Sequence, residues 1–214
     1  MALLPAAVLF DWDGTLVDSL AAIYRANTRA LATIGITMDW DWFRERYTPD
    51  WRRSYAELGV PEHLYDELAD RWAQEMQRSR PRALPGARRG LRQLRLHGVR
   101  LGIVTASMRA VVGPGIERLN LAGLFEVVVC SDDVPRTKPH PDGLHHALEI
   151  LGLGAGDVLY VGDTPTDLAM ADAAGTPFVA IGGTTDVAVF VELGVAHVWP
   201  GVGQWADHLL DERG

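Results

Sequence analysis

The sequence has little of three things: lysine, cysteine and long apolar runs. Lysine occurs once, at Lys138, against nineteen arginines. A formal net charge of −8 at pH 7 argues against a nucleic acid or an anionic membrane as a partner, because such partners need clustered cations. The single cysteine, Cys130, cannot form an intramolecular disulfide, and its position at the end of an apolar run predicts a buried structural thiol.

Apolar stretches are too short for a membrane protein. No run reaches the roughly 18 apolar residues that cross a bilayer, and the opening "MALLPAAVLF" lacks the basic start of a signal peptide. Together with the reduced cysteine, this predicts a soluble, cytoplasmic protein. The length of 214 residues, with 48% apolar and 22% charged residues, predicts one folded core with an additional module.

Four short apolar runs predict strands: residues 6–10, 99–104, 126–130 and 157–162. None of them alternates polar and apolar residues, which is typical of strands buried on both faces of a parallel sheet. Segments 87–98 and 142–154, which lie between these runs, have leucines at helical spacing and reach a glycine near their ends. The alternation of strand and helix predicts an α/β fold with a doubly wound parallel sheet.

Residues 18–80 follow a different pattern. An amphipathic helix ends at Gly35, and three further helical segments follow, separated by proline and glycine. We therefore predict an all-helical domain at 17–82, inserted into an α/β core formed by 1–16 and 83–214. Core packing explains its four tryptophans more simply than substrate stacking does: Trp40, Trp42, Trp51 and Trp72.

Oxygen-bearing side chains follow each predicted strand, at the place where open α/β sheets bind ligands. A cluster of carboxylates at one sheet edge would repel itself unless a cation were present, and hard divalent metals prefer oxygen ligands. The sequence therefore predicts a magnesium site there. The four strand ends are Asp11-Trp12-Asp13-Gly14-Thr15, Thr105-Ala106-Ser107, Ser131-Asp132-Asp133 and Asp163-Thr164-Pro165-Thr166-Asp167.

Two of these strand ends also have an ordinary structural explanation. Residues 15–18 fit a capping box, and Thr164 with Asp167 fits the N-cap and N3 positions of a helix. For Asp167, helix capping and a role at a metal site remain open alternatives. Asp11 and Asp163 follow buried strands and have no helix-capping role to explain them, so we interpret both as functional.

Lys138 lies in the loop "VPRTKPHPDG", residues 134–143. A compact ammonium group suits point contact with a phosphate or carboxylate oxygen, where a planar guanidinium fits differently. Because arginine supplies every other cationic side chain, we predict a specific role for this lysine.

Four segments together resemble the ordered motifs of the haloacid dehalogenase superfamily, and most closely its phosphoglycolate phosphatase-like branch. They are "FDWDGTLVDS" (10–19), "IVTAS" (103–107), "KPHPDG" (138–143) and "VGDTPTD" (161–167). The helical insertion after the first motif resembles the cap domain of this branch. The resemblance implies a Rossmann-like core and a Mg²⁺-dependent phosphatase whose partner is a small phosphomonoester, of the phosphoglycolate or sugar phosphate type.

The resemblance also implies a role for each motif residue. Asp11 resembles the nucleophile that forms an aspartyl phosphate, and Asp13 resembles the general acid and base. Thr105 and Lys138 would hold phosphoryl oxygens. The metal would be bound by Asp11, the backbone carbonyl of Asp13, and Asp163, with Asp167 in support.

Further substrate contacts are expected from hydroxyls near the motifs and from cations of the cap. The hydroxyls are those of Thr15 and Ser107. The cationic candidates in the cap are Arg44, Arg46, Arg52 and Arg53, of which Arg44 and Arg52 are the preferred pair.

Other activities remain open. Haloacid dehalogenases of the superfamily lack the second acid of the first motif, and its phosphonoacetaldehyde hydrolases use a cap lysine. Asp13 is present and residues 17–82 contain no lysine, so both are disfavoured. A hexose-phosphate mutase would keep all four motifs, and a binding or regulatory module could keep the fold without turnover.

Overall fold

The computed structural model describes residues 4–48 and 50–212. Ten α-helices and eight strands lie within these residues, together with short 3₁₀ turns at Glu62–Leu64, Ser131–Asp133 and Ala155–Asp157. In chain order they are β1 (Ala7–Phe10), β2 (Val17–Asp18), α1 (Leu20–Ala32), α2 (Trp40–Arg46), α3 (Trp51–Glu57), α4 (Tyr65–Ser79), β3 (Arg82–Ala83), α5 (Ala87–Leu96), β4 (Arg100–Val104), α6 (Arg109–Arg118), β5 (Val127–Val129), α7 (Asp142–Leu151), β6 (Val158–Gly162), α8 (Pro165–Ala174), β7 (Phe178–Ile181), α9 (Val187–Glu192), β8 (Val198–Trp199) and α10 (Val202–Asp211).

Six of the strands form one parallel sheet in the order β5-β4-β1-β6-β7-β8. Strand β1 lies at its centre, and successive side chains of this strand enter the cores on opposite faces of the sheet. Val8 and Phe10 pack into one core, which α5 and α10 cover, whereas Ala7 and Leu9 pack into the other, beneath α7 and α8. Burial on both faces explains why the run is continuously apolar. The predicted doubly wound parallel sheet is confirmed.

Helices α1 to α4 form a separate helical layer with its own buried core, which includes Ile23, Leu31, Phe43, Tyr55 and Leu68. The chain enters and leaves this layer through a two-stranded antiparallel ribbon, in which Val17 pairs with Ala83 and Asp18 with Arg82. The four predicted helical segments are confirmed. The domain limits at 17 and 82 stay a prediction, and the ribbon lies at both of them.

The elements after residue 175 were not predicted. Strands β7 and β8 extend the sheet, and α9 and α10 follow them. Residues 15–18 do not form the capping box that was the alternative explanation for them, because the Thr15 hydroxyl donates to the Asp163 carboxylate and α1 begins only at Leu20. Cys130 is buried as predicted, and burial raises the pKa of its thiol to about 12. Within the described residues, none of the helices is both long and apolar enough to cross a bilayer.

Candidate active site

The carboxyl ends of β1, β4 and β6 meet at one edge of the sheet. Strand β1 lies between the other two, so the chain order reverses around it, which is where open α/β sheets bind ligands. Gly14 makes the turn after β1 with φ +78°, and a β-carbon at this position would lie 2.2 Å from Asp163 Oδ2. Only glycine therefore lets the first motif approach the fourth this closely.

Lys138 is buried at the centre of this edge, with 3% of its surface exposed. Its Nζ lies 2.6 Å from Asp11 Oδ1 and 2.6 Å from Asp167 Oδ1. Burial alone would lower the pKa of Lys138, but the two carboxylates outweigh burial and raise it, so the side chain stays an ammonium. Burial raises the pKa of Asp11, and the ammonium opposes that shift.

Asp167 caps a helix and also contacts Lys138, whereas its role at a metal site stays a prediction. One carboxylate oxygen accepts hydrogen bonds from the backbone N–H and the hydroxyl of Thr164, which completes a capping box at the start of α8. The other oxygen contacts Lys138 and lies 2.9 Å from the Tyr160 hydroxyl. With both oxygens held by protein donors, Asp167 is built to position the lysine.

Asp163 is fully buried and held by hydroxyl and backbone donors. Its Oδ1 accepts from the Thr15 hydroxyl at 3.0 Å, and its Oδ2 accepts from the backbone N–H and the hydroxyl of Thr184 at 2.9 and 2.7 Å. Burial, followed by repulsion from Asp167, raises the pKa of Asp163 to about 6. The Thr15 hydroxyl, predicted to touch substrate, is engaged here by Asp163. Thr184 was not predicted.

Asp13 lies two residues after Asp11, in the turn that follows β1. The Ser107 hydroxyl donates to its Oδ2, while its Oδ1 has no hydrogen-bond partner among the residues that the structure describes. Burial raises the pKa of Asp13, with the Ser107 hydrogen bond opposing it. A buried carboxyl with one free oxygen and a raised pKa is suited to giving and taking a proton.

Thr105 follows β4 directly and lies at the same edge of the sheet. Its hydroxyl accepts from the Ser107 backbone N–H at 3.1 Å. The third strand end does not join this cluster: Asp132 and Asp133 are exposed, and both bind Arg109.

The donor set fits a divalent cation. Asp11, Asp163 and Asp167 each offer a carboxylate oxygen, and these oxygens lie within 4.8 Å of one another in a buried position. Lys138 is the one cation that contacts the group among the described residues. Three buried carboxylates beside a single ammonium leave excess negative charge, which a hard cation with oxygen ligands would offset.

A cavity of about 80 Å³ extends from Asp11 and Asp13 into the helical layer. Arg44 and Arg52 do not line it and are exposed; the Arg52 guanidinium lies 4.2 Å over the Trp51 ring. The structure therefore gives no support for substrate binding by this pair. Arg46, the neighbour in the same helix, does line the cavity.

Tyr47 is a site residue that the sequence analysis missed. It follows α2 and lines the cavity, so its side chain lies near the sheet edge that carries Asp11 and Asp13. Burial, and then the Asp13 carboxylate, raise the pKa of Tyr47 well above its ordinary value, so the phenol stays protonated. The pattern around residue 47 gave only a helix, and its place at the site depends on how the helices pack onto the sheet.

Comparison with known proteins agrees with the four motifs. The model of the family described as "Haloacid dehalogenase-like hydrolase" matches residues 8–181. The phosphoglycolate phosphatase of Yersinia pseudotuberculosis is 32% identical over 188 residues, which are 81% of this chain and 79% of that protein. A plasmid-encoded phosphoglycolate phosphatase of Cupriavidus necator is 34% identical over 180 residues, which are 80% of this chain and 78% of that protein.

Among solved structures, a Lactobacillus plantarum protein superposes with a TM-score of 0.86 at 25% identity, covering 96% of this chain and 99% of that one. The fold, the predicted superfamily branch and the enzyme class of phosphoric monoester hydrolase are confirmed by these similarities. The chain belongs to the haloacid dehalogenase-like hydrolase family.

Proposed function

We propose that the protein is a Mg²⁺-dependent phosphatase that hydrolyses a small phosphomonoester through a phosphoryl group carried on Asp11. The observation that carries the proposal is the placement of Lys138 Nζ 2.6 Å from both Asp11 and Asp167, beside a third buried carboxylate, Asp163. Relatives named phosphoglycolate phosphatase support a phosphomonoester as the substrate class.

In the first step, an Asp11 carboxylate oxygen attacks phosphorus and the bond from phosphorus to the ester oxygen breaks. Protonated Asp13 gives its proton to the departing alkoxide through the unpaired Oδ1. In the second step, Asp13 takes a proton from water, the water oxygen attacks phosphorus, and the Asp11 carboxylate leaves.

Lys138 and Thr105 hold phosphoryl oxygens during both steps. The ammonium has no acid-base role here because its carboxylate neighbours raise its pKa, so it acts as a fixed positive charge. Asp11, the Asp13 backbone carbonyl and Asp163 would hold Mg²⁺, with Asp167 in support. When bound, the metal neutralises charge on the phosphate and so permits attack by an anionic nucleophile.

A hexose-phosphate mutase is the less favoured alternative. Such an enzyme binds a bisphosphate, so it needs a second group of cations at a distance from the first phosphate. Arg46 is the only lysine or arginine among the described residues that line the cavity. A binding module without turnover is also disfavoured, because Asp13 keeps the free oxygen that proton transfer requires.

The test is Asp11→Asn, which removes the nucleophile and keeps the shape of the side chain. We expect phosphate release from a phosphomonoester with Mg²⁺ to fall by about 1,000-fold or more, in the range found when a nucleophile is removed. Asp172→Asn, an exposed aspartate of α8, is the matched control and keeps the wild-type rate. An Asp11→Asn enzyme that releases phosphate at a near-normal rate would contradict the assignment of the nucleophile.

A further inference from the structure

The cavity above the sheet edge that carries Asp11 and Asp13 is lined mainly by apolar side chains. Six aromatic side chains of the helical layer face it: Trp42, Phe43, Tyr47, Trp51, Tyr55 and Trp72. Aliphatic side chains such as Ile23, Leu31 and Leu58 fill the remaining wall on this side. Because Asp11 and Asp13 lie at the other end, whatever the phosphate is esterified to must occupy this apolar space.

Charge in the cavity is poorly suited to a carboxylate. Arg46 is the one cationic side chain among the described lining residues, and its guanidinium lies 3.2 Å from the Glu45 carboxylate and 5.5 Å over the Trp42 ring. Its side chain is 47% exposed, so its charge is shared with a neighbouring acid and screened by water. The glycolate carboxylate would therefore find no dedicated cation here.

Uncharged hydrogen-bonding groups on the helical side of the cavity are fewer than apolar ones: besides the phenol and indole groups of the aromatic rings, they are Asn27, Thr48 and Ser54. Asn27 donates its amide to the Ile23 carbonyl of its own helix, and the Thr48 hydroxyl accepts from the Asp50 backbone N–H. A sugar would exchange the water around its hydroxyls for a mainly apolar wall, which disfavours its binding relative to an apolar ring.

Two tryptophans of the cavity wall lack an aromatic neighbour among the described residues, although the Arg46 guanidinium lies over one face of Trp42. Trp40 packs against Tyr24 at 5.0 Å between ring centroids, and Trp51 packs against Tyr55 at 5.3 Å. Within the described part of the chain, neither Trp42 nor Trp72 has an aromatic ring neighbour, and both are half-buried on the cavity wall. Core packing thus explains Trp40, whereas Trp42 and Trp72 are placed to stack against a bound ring.

We propose that this cavity selects a leaving alcohol that carries an apolar ring, so that the preferred substrates are phosphate monoesters of aryl-alkyl alcohols and not phosphoglycolate or sugar phosphates. The inference rests on the proposed phosphatase function. Trp42 and Trp72 are the residues that determine this specificity.

Turnover of matched alkyl esters gives the first test, because their leaving alcohols differ little in acidity. The panel is 2-phenylethyl phosphate, ethyl phosphate, phosphoglycolate and glucose 6-phosphate, each with Mg²⁺. We expect kcat/KM for 2-phenylethyl phosphate to exceed each of the others by about tenfold or more, as burial of a ring predicts. Faster hydrolysis of phosphoglycolate or glucose 6-phosphate would overturn the inference and leave the phosphatase function intact.

Substitutions in the cavity wall test whether Trp42 and Trp72 cause the preference for the phenyl ester. Trp42→Ala and Trp72→Ala should each lower the ratio of kcat/KM for 2-phenylethyl phosphate to that for ethyl phosphate by about tenfold, the scale of a lost ring contact. Trp199→Ala, in a tryptophan of β8 that does not line the cavity, is the control and should change this ratio by less than about twofold. Retained hydrolysis of ethyl phosphate shows that a variant is folded, and an unchanged ratio in both cavity variants would overturn the proposal.

Measurements of ligand binding test the inference even if the protein hydrolyses none of the esters. The phosphonates 3-phenylpropylphosphonate and 3-phosphonopropionate have the shapes of 2-phenylethyl phosphate and phosphoglycolate but cannot be hydrolysed at the bridging position. Calorimetry with Mg²⁺ should give a Kd for the phenyl compound about tenfold lower or better. Tighter binding of 3-phosphonopropionate would overturn the inference, whereas a preference for the phenyl compound without hydrolysis of any ester would contradict only the phosphatase function.

Discussion

At the scale of single residues, the side chain with the most demanding environment is Lys138. It is the only lysine of the chain, it is 3% exposed, and it contacts two carboxylates that are themselves buried. A buried ion pair adds little net stability by itself, but removal of one partner leaves an uncompensated charge. We therefore propose that this residue holds a fixed positive charge beside Asp11.

Lys138→Arg keeps the charge and changes its shape. A longer, planar guanidinium cannot place one point charge 2.6 Å from both Asp11 and Asp167 in a space occupied by an ammonium. We expect kcat to fall by about 100-fold or more, the scale seen when an electrostatic contact to the transition state is lost. Steady-state phosphate release measures this, and Arg136→Lys, an exposed change in the same loop, should have no effect. Normal kinetics in Lys138→Arg would mean that any cation serves at this position.

At the scale of elements, the turn after β1 decides whether the first and fourth motifs can meet. Gly14 and Gly123 have the same φ of +78°, but a β-carbon would clash with Asp163 only at Gly14, and nothing lies within 4 Å of the position at Gly123. Alanine at Gly123 therefore introduces backbone strain alone, whereas alanine at Gly14 introduces the same strain and also displaces Asp163.

Gly14→Ala should be more damaging than Gly123→Ala. Left-handed backbone alone costs an alanine about 1–2 kcal/mol, so Gly123→Ala should lose about this much free energy of unfolding and keep its activity. Gly14→Ala should lose more, and its activity should fall strongly because Asp163 has to move. Urea unfolding and phosphate release measure the two effects. Equal stability and activity in the two variants would show that the close approach to Asp163 has no importance.

Elements also show how far sequence reasoning reaches. The runs that became β1, β4, β5 and β6 were predicted because burial on both faces keeps them apolar throughout. Strand β8 and both ribbon strands have only two residues each, too few for a pattern to appear. Strand β7 lies nearer the sheet edge, and its first two residues are only half-buried.

Prediction of the site was uneven for a related reason. Asp11, Asp13, Thr105 and Asp163 come together because parallel strands end at a common edge, which strand order predicts, whereas Lys138 reaches them from the loop between β5 and α7. Placement of cap residues depends instead on how helices pack onto the sheet. That packing exposes Arg44 and Arg52 and brings Tyr47 and Arg46 to the cavity, which no local pattern could indicate.

At the scale of the whole molecule, the buried carboxylates of the site lower the stability of the fold when no cation is bound. The pKa of Asp163 is raised from an ordinary value of 3.8 to about 6, so the folded state holds its proton more tightly than the unfolded chain does. This contribution to stability is fully present below pH 3.8 and is lost as the pH rises through about 6. A tenfold change in proton affinity corresponds to about 1.4 kcal/mol, so ionisation of the buried site at neutral pH destabilises the fold substantially.

A divalent cation bound at this cluster would remove the destabilisation, and metal binding would then be linked to global stability. Replacement of Asp163 by asparagine keeps a side chain of the same shape and removes one buried negative charge. In the absence of metal at pH 7, Asp163→Asn should therefore melt at a higher temperature than the wild type. Asp172→Asn removes an exposed carboxylate of α8 and should leave the melting temperature nearly unchanged.

The most direct test of a shared cation between Asp11 and Asp163 is the change in Tm on adding Mg²⁺ at pH 7 after exhaustive chelation. We predict a clear, concentration-dependent rise for the wild type and for Asp172→Asn, and little or no rise for Asp163→Asn. A wild-type Tm that does not respond to Mg²⁺, or an Asp163→Asn variant that responds as strongly as the wild type, would contradict the account.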